Sequence, residues 1–315
     1  GSAPFGVYLT SPDYLGGMQD IAALSAVCDA HGVPLLVDNA HGAYLRFLPQ
    51  NCHPIAQGAA MCCDSAHKTL PVVTGGAYLH LAHDAPVLNE AAVRGALALF
   101  GSTSPSYLIL QSLDACNAVL AGDYPRRLAQ CCAALEGLRR SLNKATAARQ
   151  CPVPLAVAGA QQEPMKLTLD AAALGCTGTA LAEALRRAQL ECEYADPRYV
   201  VLMFTPENPP QDFERLQTAL EQLLAAVPAG LFRPENRAGE FAALQQQAVQ
   251  RCTIRQAVLG AQVRIPVHKA LGRVCAMPTV SCPPAIPVAV SGEEITPAAI
   301  ALMQRYGIEE LSVLR

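Results

Sequence analysis

Tryptophan is absent from this chain of 315 residues, aromatic residues make up 5% of it, and charged residues make up 16%. With 23 lysines and arginines against 26 aspartates and glutamates, the formal net charge is −3, so there is no basic field to hold a polyanion and nucleic acid is not expected as a partner. No apolar run is long enough to cross a bilayer, and the first ten residues lack the basic start of a secretion signal. No membrane association is therefore expected, and a cytoplasmic location is.

Cysteine is the exception to this scarcity, at 13 residues, yet the number is odd, no two stand in a C-x-x-C spacing, and the density is below that of disulfide scaffolds. Neither a stapled secreted fold nor a structural zinc motif is read from them, and a reducing compartment fits. The adjacent pairs Cys62-Cys63 and Cys131-Cys132 read as small buried hydrophobes. His31, His53, His80, His83 and His268 have no ligand-like spacing, so they read as structural or exposed and no metal is expected.

What the chain does have is apolar patterning, with 51% hydrophobic residues. Short apolar runs at Val7 to Thr10, Leu35 to Val37, Met61 to Asp64 and Ala77 to His80 alternate with helical stretches such as Met18 to His31, which predicts a largely parallel sheet with crossover helices. Gly32-Val33-Pro34 reads as the stop between the first helix and the strand after it. Residues 106 to 148 read as one long helix joining two domains. After Cys151-Pro152-Val153-Pro154 the pattern changes: strands at Met165 to Leu169 and Tyr199 to Phe204 and helices at Thr179 to Gln189 and Asp212 to Ala226 predict a smaller α+β domain. A further helix is expected around Glu240 to Cys252, and Cys282 to Pro287 reads as an ordered proline-rich loop. The expected division is 1–150, 151–230 and 231–315.

Two strand-end motifs stand out, Val37-Asp38-Asn39-Ala40-His41-Gly42 and Asp64-Ser65-Ala66-His67-Lys68-Thr69-Leu70. The carboxyl ends of strands in an α/β sheet converge on a ligand crevice, so Asp38 and Lys68 can face one site. A carboxylate and an amine together fit pyridoxal phosphate, which needs a lysine to form an imine with its aldehyde, an acid to keep its ring nitrogen protonated, and hydroxyl or imidazole donors for its phosphate. Lys68, Asp38, Ser65 and His67 are candidates for those parts.

Taken with Thr10-Ser11-Pro12-x-Tyr14-x-Gly16, Ser102-Thr103-Ser104-Pro105-Ser106-Tyr107, Gly175-Cys176-Thr177-Gly178 and Glu193-Tyr194-Ala195-Asp196, these motifs resemble, in order, the Orn/Lys/Arg decarboxylase family. The resemblance implies an α/β fold of the PLP-dependent transferase-like (aspartate aminotransferase) type, here with its large domain incomplete at the N-terminus, and a smaller α+β domain. It implies Lys68 as the imine lysine, Asp38 as partner of the pyridine nitrogen, Ala40 against the ring face, and Ser65 and His67 as cofactor contacts. Ser102 and Thr103 occupy the segment that a dimer partner lends near the phosphate, which implies a homodimer or higher homo-oligomer. Asn39 stands where the family has glutamate, and the family's phosphate loop and stacking histidine have no counterpart here. An upstream segment is therefore expected, and Gly1-Ser2 running almost at once into Val7-Tyr8-Leu9 agrees with that.

Read without the resemblance, Asp38 is a turn former, Lys68 a surface lysine, and Ser102 to Ser106 a polar turn. His41 is either a second catalytic group or a backbone-bonded strand-end histidine. Glu193 and Asp196 beside Arg198 read as a solvated face. The expected activity is decarboxylation of arginine, lysine or ornithine to the amine. The alternatives are an aminotransferase or lyase of the same fold, or an incompetent fragment or paralogue that acts only by association.

Overall fold

The computed structural model describes residues 4–83, 89–151, 153–159, 161–226, 244, 246–281 and 286–315. Its first sheet has the order β1 (Val7–Thr10), β2 (Leu35–Asp38), β3 (Met61–Asp64) and β4 (Tyr78–Leu81), parallel across the first three strands and antiparallel at the last. Leu35 and Val37 alternate inward on β2 and meet Ile21 and Cys28 of the crossover helix α1 (Ile21–Ala30) in one apolar cluster. Asp20 starts that helix by accepting the Ala23 N–H (2.9 Å), and Gly32 ends it at φ +63°, a left-handed conformation that a side chain resists.

The stretch expected as one helix over 106 to 148 is two, α4 (Tyr107–Ala121) and α5 (Tyr124–Ala148). Pro125 is the reason: it has no N–H for the carbonyl one turn back and its ring collides with that carbonyl, so it is tolerated only in the first turn of a new helix. Leu128, Cys131, Leu135, Leu138 and Leu142 form a buried stripe along α5 at helical spacing. That stripe holds Tyr44 and Leu45 below the first sheet in the same core as the second sheet, β5 (Lys166–Asp170), β7 (Tyr199–Met203) and β6 (Tyr194–Ala195) in that spatial order, and its helices α6 (Gly178–Arg187) and α7 (Pro210–Ala226).

The C-terminal residues have a separate core around Val267, Ile295, Met303 and Val313, where the antiparallel pair β8 (Gln262–Pro266) and β11 (Glu310–Leu314) packs with the helix Pro297–Arg305. Part of the helix expected over Glu240 to Cys252 lies outside the described residues. Its end is extended: Gln250 bridges Glu293, and the Arg251 N–H donates to Gly292 O (2.7 Å). Of its described part, Leu244, Gln246 and Gln247 are helical, and a separate helix begins at Ile254, where Thr253 and Gln256 close a capping box. Of the proline-rich stretch, Cys282 to Ala285 lie outside the described residues, as do Gly1 and Ser2, while Ile286–Ala289 pairs as a strand with Thr279–Ser281.

Two surfaces stay apolar and open. Tyr8 on the edge strand β1 is 67% exposed, and α3 (Glu90–Phe100) buries no residue, leaving Leu99 and Phe100 in solvent. Among the described residues no helix is long and apolar enough to cross a membrane.

Leu142 tests the joint that α5 makes between the two sheets. Truncation by Leu142→Ala at this fully buried position is expected to cost about 2–5 kcal/mol, read as a lower urea midpoint at unchanged m value. A loss below about 0.5 kcal/mol would mean that the stripe is not part of a packed core.

Candidate active site

β2 and β3 are parallel neighbours with Asp38 opposite Cys63, so the residues that leave their carboxyl ends, Asn39 to Gly42 and Ser65 to Thr69, emerge side by side. Asp38 is half-buried: one carboxylate oxygen accepts the Ala40 N–H (3.0 Å), the other the Tyr8 hydroxyl (3.2 Å). Asn39 is fully buried and its amide donates to Asp64 Oδ1 (2.7 Å). A Cβ at position 42 would overlap the Asn39 side chain, so glycine there lets the turn close.

His41 is buried, and its Nε2 lies 3.2 Å from Lys68 Nζ. Burial, then the cations Lys166 and Lys68, push the imidazole down to about 3, so it is neutral and Nε2 accepts from the lysine. Its Nδ1 is buried with no hydrogen-bond partner among the described residues. Lys68 sits on the single-turn helix α2 (Ala66–Thr69) and is otherwise exposed. Ser65 stands at the N-cap without making a capping bond, and His67 fixes its ring by Nδ1 on Gly76 O (2.9 Å), which leaves Nε2 free of that bond.

Asp38, Ala40, His41, Ser65, His67 and Lys68 therefore come to one end of one sheet. Ser102 and Thr103 do not join them by any hydrogen bond: they lie on an exposed loop between α3 and α4, where Ser102 Oγ accepts the Ser104 N–H (3.1 Å).

Three residues that sequence reasoning gave no role support this arrangement. The Tyr14 ring stands edge-on to His41 with centroids 5.0 Å apart, and its hydroxyl donates to Glu193 Oε1 (2.8 Å). Lys166, 4% exposed, donates to Asp13 O (3.0 Å) and lies 5.6 Å from the Tyr14 ring centroid. Burial pushes its ammonium down, and the carboxylates of Glu163 and Asp13 oppose the shift. Glu163 is buried too, hydrogen-bonded to the Tyr44 hydroxyl, with its carboxyl raised by burial against the pull of Lys166. The sequence offered only a lysine heading an apolar strand; that all five residues of this strand are buried is visible in the structure alone. Glu193 is exposed as expected, yet it is tied to Tyr14, whereas Asp196 caps its own turn by accepting the N–H groups of Arg198 and Tyr199.

His53 and His80 both reach Asp64 Oδ2, at 3.1 and 3.0 Å. Burial pushes the Asp64 carboxyl up, but the bonds from the two imidazoles and from Asn39 outweigh it and hold the group well below the usual carboxylate range.

Residues 3–211 match the family model described as Orn/Lys/Arg decarboxylase, major domain. An uncharacterized protein of Bacillus subtilis, YaaO, is 29% identical over 95% of this chain and 61% of its own length, and an arginine decarboxylase of the same organism is 27% identical over 92% and 59%. The constitutive lysine decarboxylase of E. coli superposes with a TM-score of 0.72 at 17% identity, over 99% of this chain and 58% of that one. The fold is thus of the PLP-dependent transferase-like type. The chain spans about 60% of the length of the relatives it matches.

The buried neutral His41 has a thermodynamic signature. Its folded value of about 3 lies below the ordinary 6.5, so above pH 6.5 it is uncharged in both states and adds no pH dependence. As pH falls from 6.5 toward 3 the unfolded chain takes up the proton first, and stability drops by up to about 1.4 kcal/mol per pH unit. Urea midpoints measured from pH 4.5 to 7.5 are expected to fall less steeply on the acid side in His41→Gln than in the parent chain; equal slopes would contradict a neutral histidine here.

Proposed function

The chain belongs to the Orn/Lys/Arg decarboxylase family, and from that premise we propose that it removes the α-carboxyl group of a basic amino acid with the help of pyridoxal phosphate. The observation that carries the reading is the Lys68 amine held 3.2 Å from neutral His41, one parallel strand away from the half-buried carboxylate of Asp38.

The residues present fit the cofactor. The amine of Lys68, the carboxylate of Asp38, the Ser65 hydroxyl free of capping and the His67 Nε2 are the donor set its aldehyde, ring nitrogen and phosphate require, and the orphaned Nδ1 of His41 leaves a buried donor for a ligand. When bound, pyridoxal phosphate supplies an electron sink for the pair left at Cα as carbon dioxide departs. Asp38 holds a proton at the ring nitrogen, and the Ala40 N–H and Tyr8 hydroxyl orient its carboxylate for that task. Ala40 leaves room for a flat ring because it carries only a methyl group. His41, unable to take up a proton near neutral pH, keeps the Lys68 amine aimed by a hydrogen bond, and Lys68 Nζ is the group that returns a proton to Cα. Ser102 and Thr103 we assign to the site of a second copy, a reading supported by their exposed loop and by the unburied apolar helix α3 before it.

Incubation of the chain with pyridoxal phosphate, borohydride reduction and peptide mapping tests the lysine, with one stable adduct expected on Lys68 and none in Lys68→Ala. Asp38→Ala is expected to keep some adduct while lowering turnover by roughly 100-fold or more. Carbon dioxide release from arginine, lysine or ornithine supports decarboxylation; formation of a keto acid instead would assign aminotransfer, and equal activity in either variant would remove both residues from the site.

A further inference from the structure

Three buried groups with lone pairs for a metal, and a fourth bonded to one of them, gather on β3 and β4. β3 and β4 are antiparallel with Cys62 directly opposite His80, so the two side chains share a face, and Asp64, two residues on from Cys62, returns to it. His53 comes to the same place from the residue before the turn Pro54–Gln57. His53, Cys62 and Asp64 are all buried, with their ligand atoms within 4.8 Å of one another.

The spacings suit one ion. His53 Nε2 and His80 Nε2 lie 3.1 and 3.0 Å from Asp64 Oδ2, and Cys62 Sγ lies 3.7 Å from His53 Nε2 and 3.8 Å from Asp64 Oδ1. Ligand bonds of about 2.0–2.3 Å in a tetrahedron put donor atoms about 3.3–3.6 Å apart, so small side-chain shifts close His53, Cys62 and Asp64 on a metal, and a rotation of the partly exposed His80 ring, now bonded to Asp64, brings in the fourth donor. Two imidazoles, a thiolate and a carboxylate select zinc: magnesium and calcium require oxygen cages, and only one carboxylate is present. The remaining features of a metal centre are there too. The Asn39 amide holds Asp64 Oδ1 (2.7 Å), leaving Oδ2 as the ligand, and a cavity of about 580 Å³ lined by His53, Asp64 and His80 gives an ion a way in.

We propose that His53, Cys62, Asp64 and His80 form a zinc site that ties the Asn51–Pro54 segment to the β3–β4 pair. On binding, the Cys62 thiol releases its proton to solvent and each imidazole presents Nε2 with its proton on Nδ1, so a divalent ion meets a thiolate and a carboxylate and the site is neutral. All four positions are filled by protein, which makes the site structural. It steadies β3, and with it the Ser65–Lys68 turn that leaves the end of that strand.

The test uses the full chain, stripped with a chelator and titrated with cobalt(II), then with zinc. The expected result is one equivalent of cobalt with an intense thiolate-to-cobalt charge-transfer band and tetrahedral visible bands, displaced by one equivalent of zinc. Cys62→Ser is expected to lose the charge-transfer band and about 100-fold or more in affinity, His53→Gln to weaken binding about as much, and Cys63→Ser at the neighbouring position to change neither. Absence of cobalt uptake, uptake without a thiolate band, or a band that survives Cys62→Ser would overturn the proposal. The spectrum of the unaltered chain decides the first two outcomes without depending on how any variant folds.

Discussion

The parallel pairing of β2 with β3 is the constraint on which the site depends. A parallel ladder forces both strands to end at the same edge, so Asp38 and the Ser65–Lys68 turn meet without any long side chain having to reach for the other. The ladder is held from behind by α1 through Ile21, Cys28 and Val37, and in front by the contact from Lys68 to His41. A register slip of one residue on β2 would turn Asp38 to the opposite face and take Val37 out of the core, so the packing that stabilises the sheet also fixes the chemistry.

The second sheet contributes charge. Lys166 and Glu163 are buried where the Tyr14 loop docks on β5, and the loop is tied down by Lys166 on Asp13 O and Thr168 on Leu15 O. Isolated buried charges are costly, but here each has an opposite charge or a carbonyl as partner. The Lys166 charge also bears on His41, adding to the burial that keeps that imidazole neutral. The two sheets therefore act on the site together: one provides its residues, and the other adds the Lys166 charge to the burial that keeps His41 neutral.

The strands, the crossover helix and the strand-end motifs were legible because they depend on local pattern: short apolar runs and a Gly32 stop. The break between α4 and α5 was legible in principle, since Pro125 is a local signal, but the apolar face on both sides of it masked the break. What local pattern cannot carry is pairing between distant residues. His53, Cys62, Asp64 and His80 have no ligand spacing along the chain; the β3–β4 ladder sets Cys62 and Asp64 beside His80, and the Pro54–Gln57 turn brings His53 to Cys62 and Asp64. Tyr14 reaches Glu193 across 179 residues, a contact that nothing in either motif foretells. Buried Lys166 was hidden for another reason: a lysine in a strand reads as its solvated face unless the strand is known to be covered on both sides.

The central claim, that the ends of β2 and β3 form one cofactor site, is tested most directly by a crystal structure of the chain grown with pyridoxal phosphate. The account predicts continuous density from Lys68 Nζ to the cofactor, with an Asp38 carboxylate oxygen about 2.7–3.2 Å from the ring nitrogen. Density joined to another lysine, or a ring nitrogen facing any group other than Asp38, would contradict it.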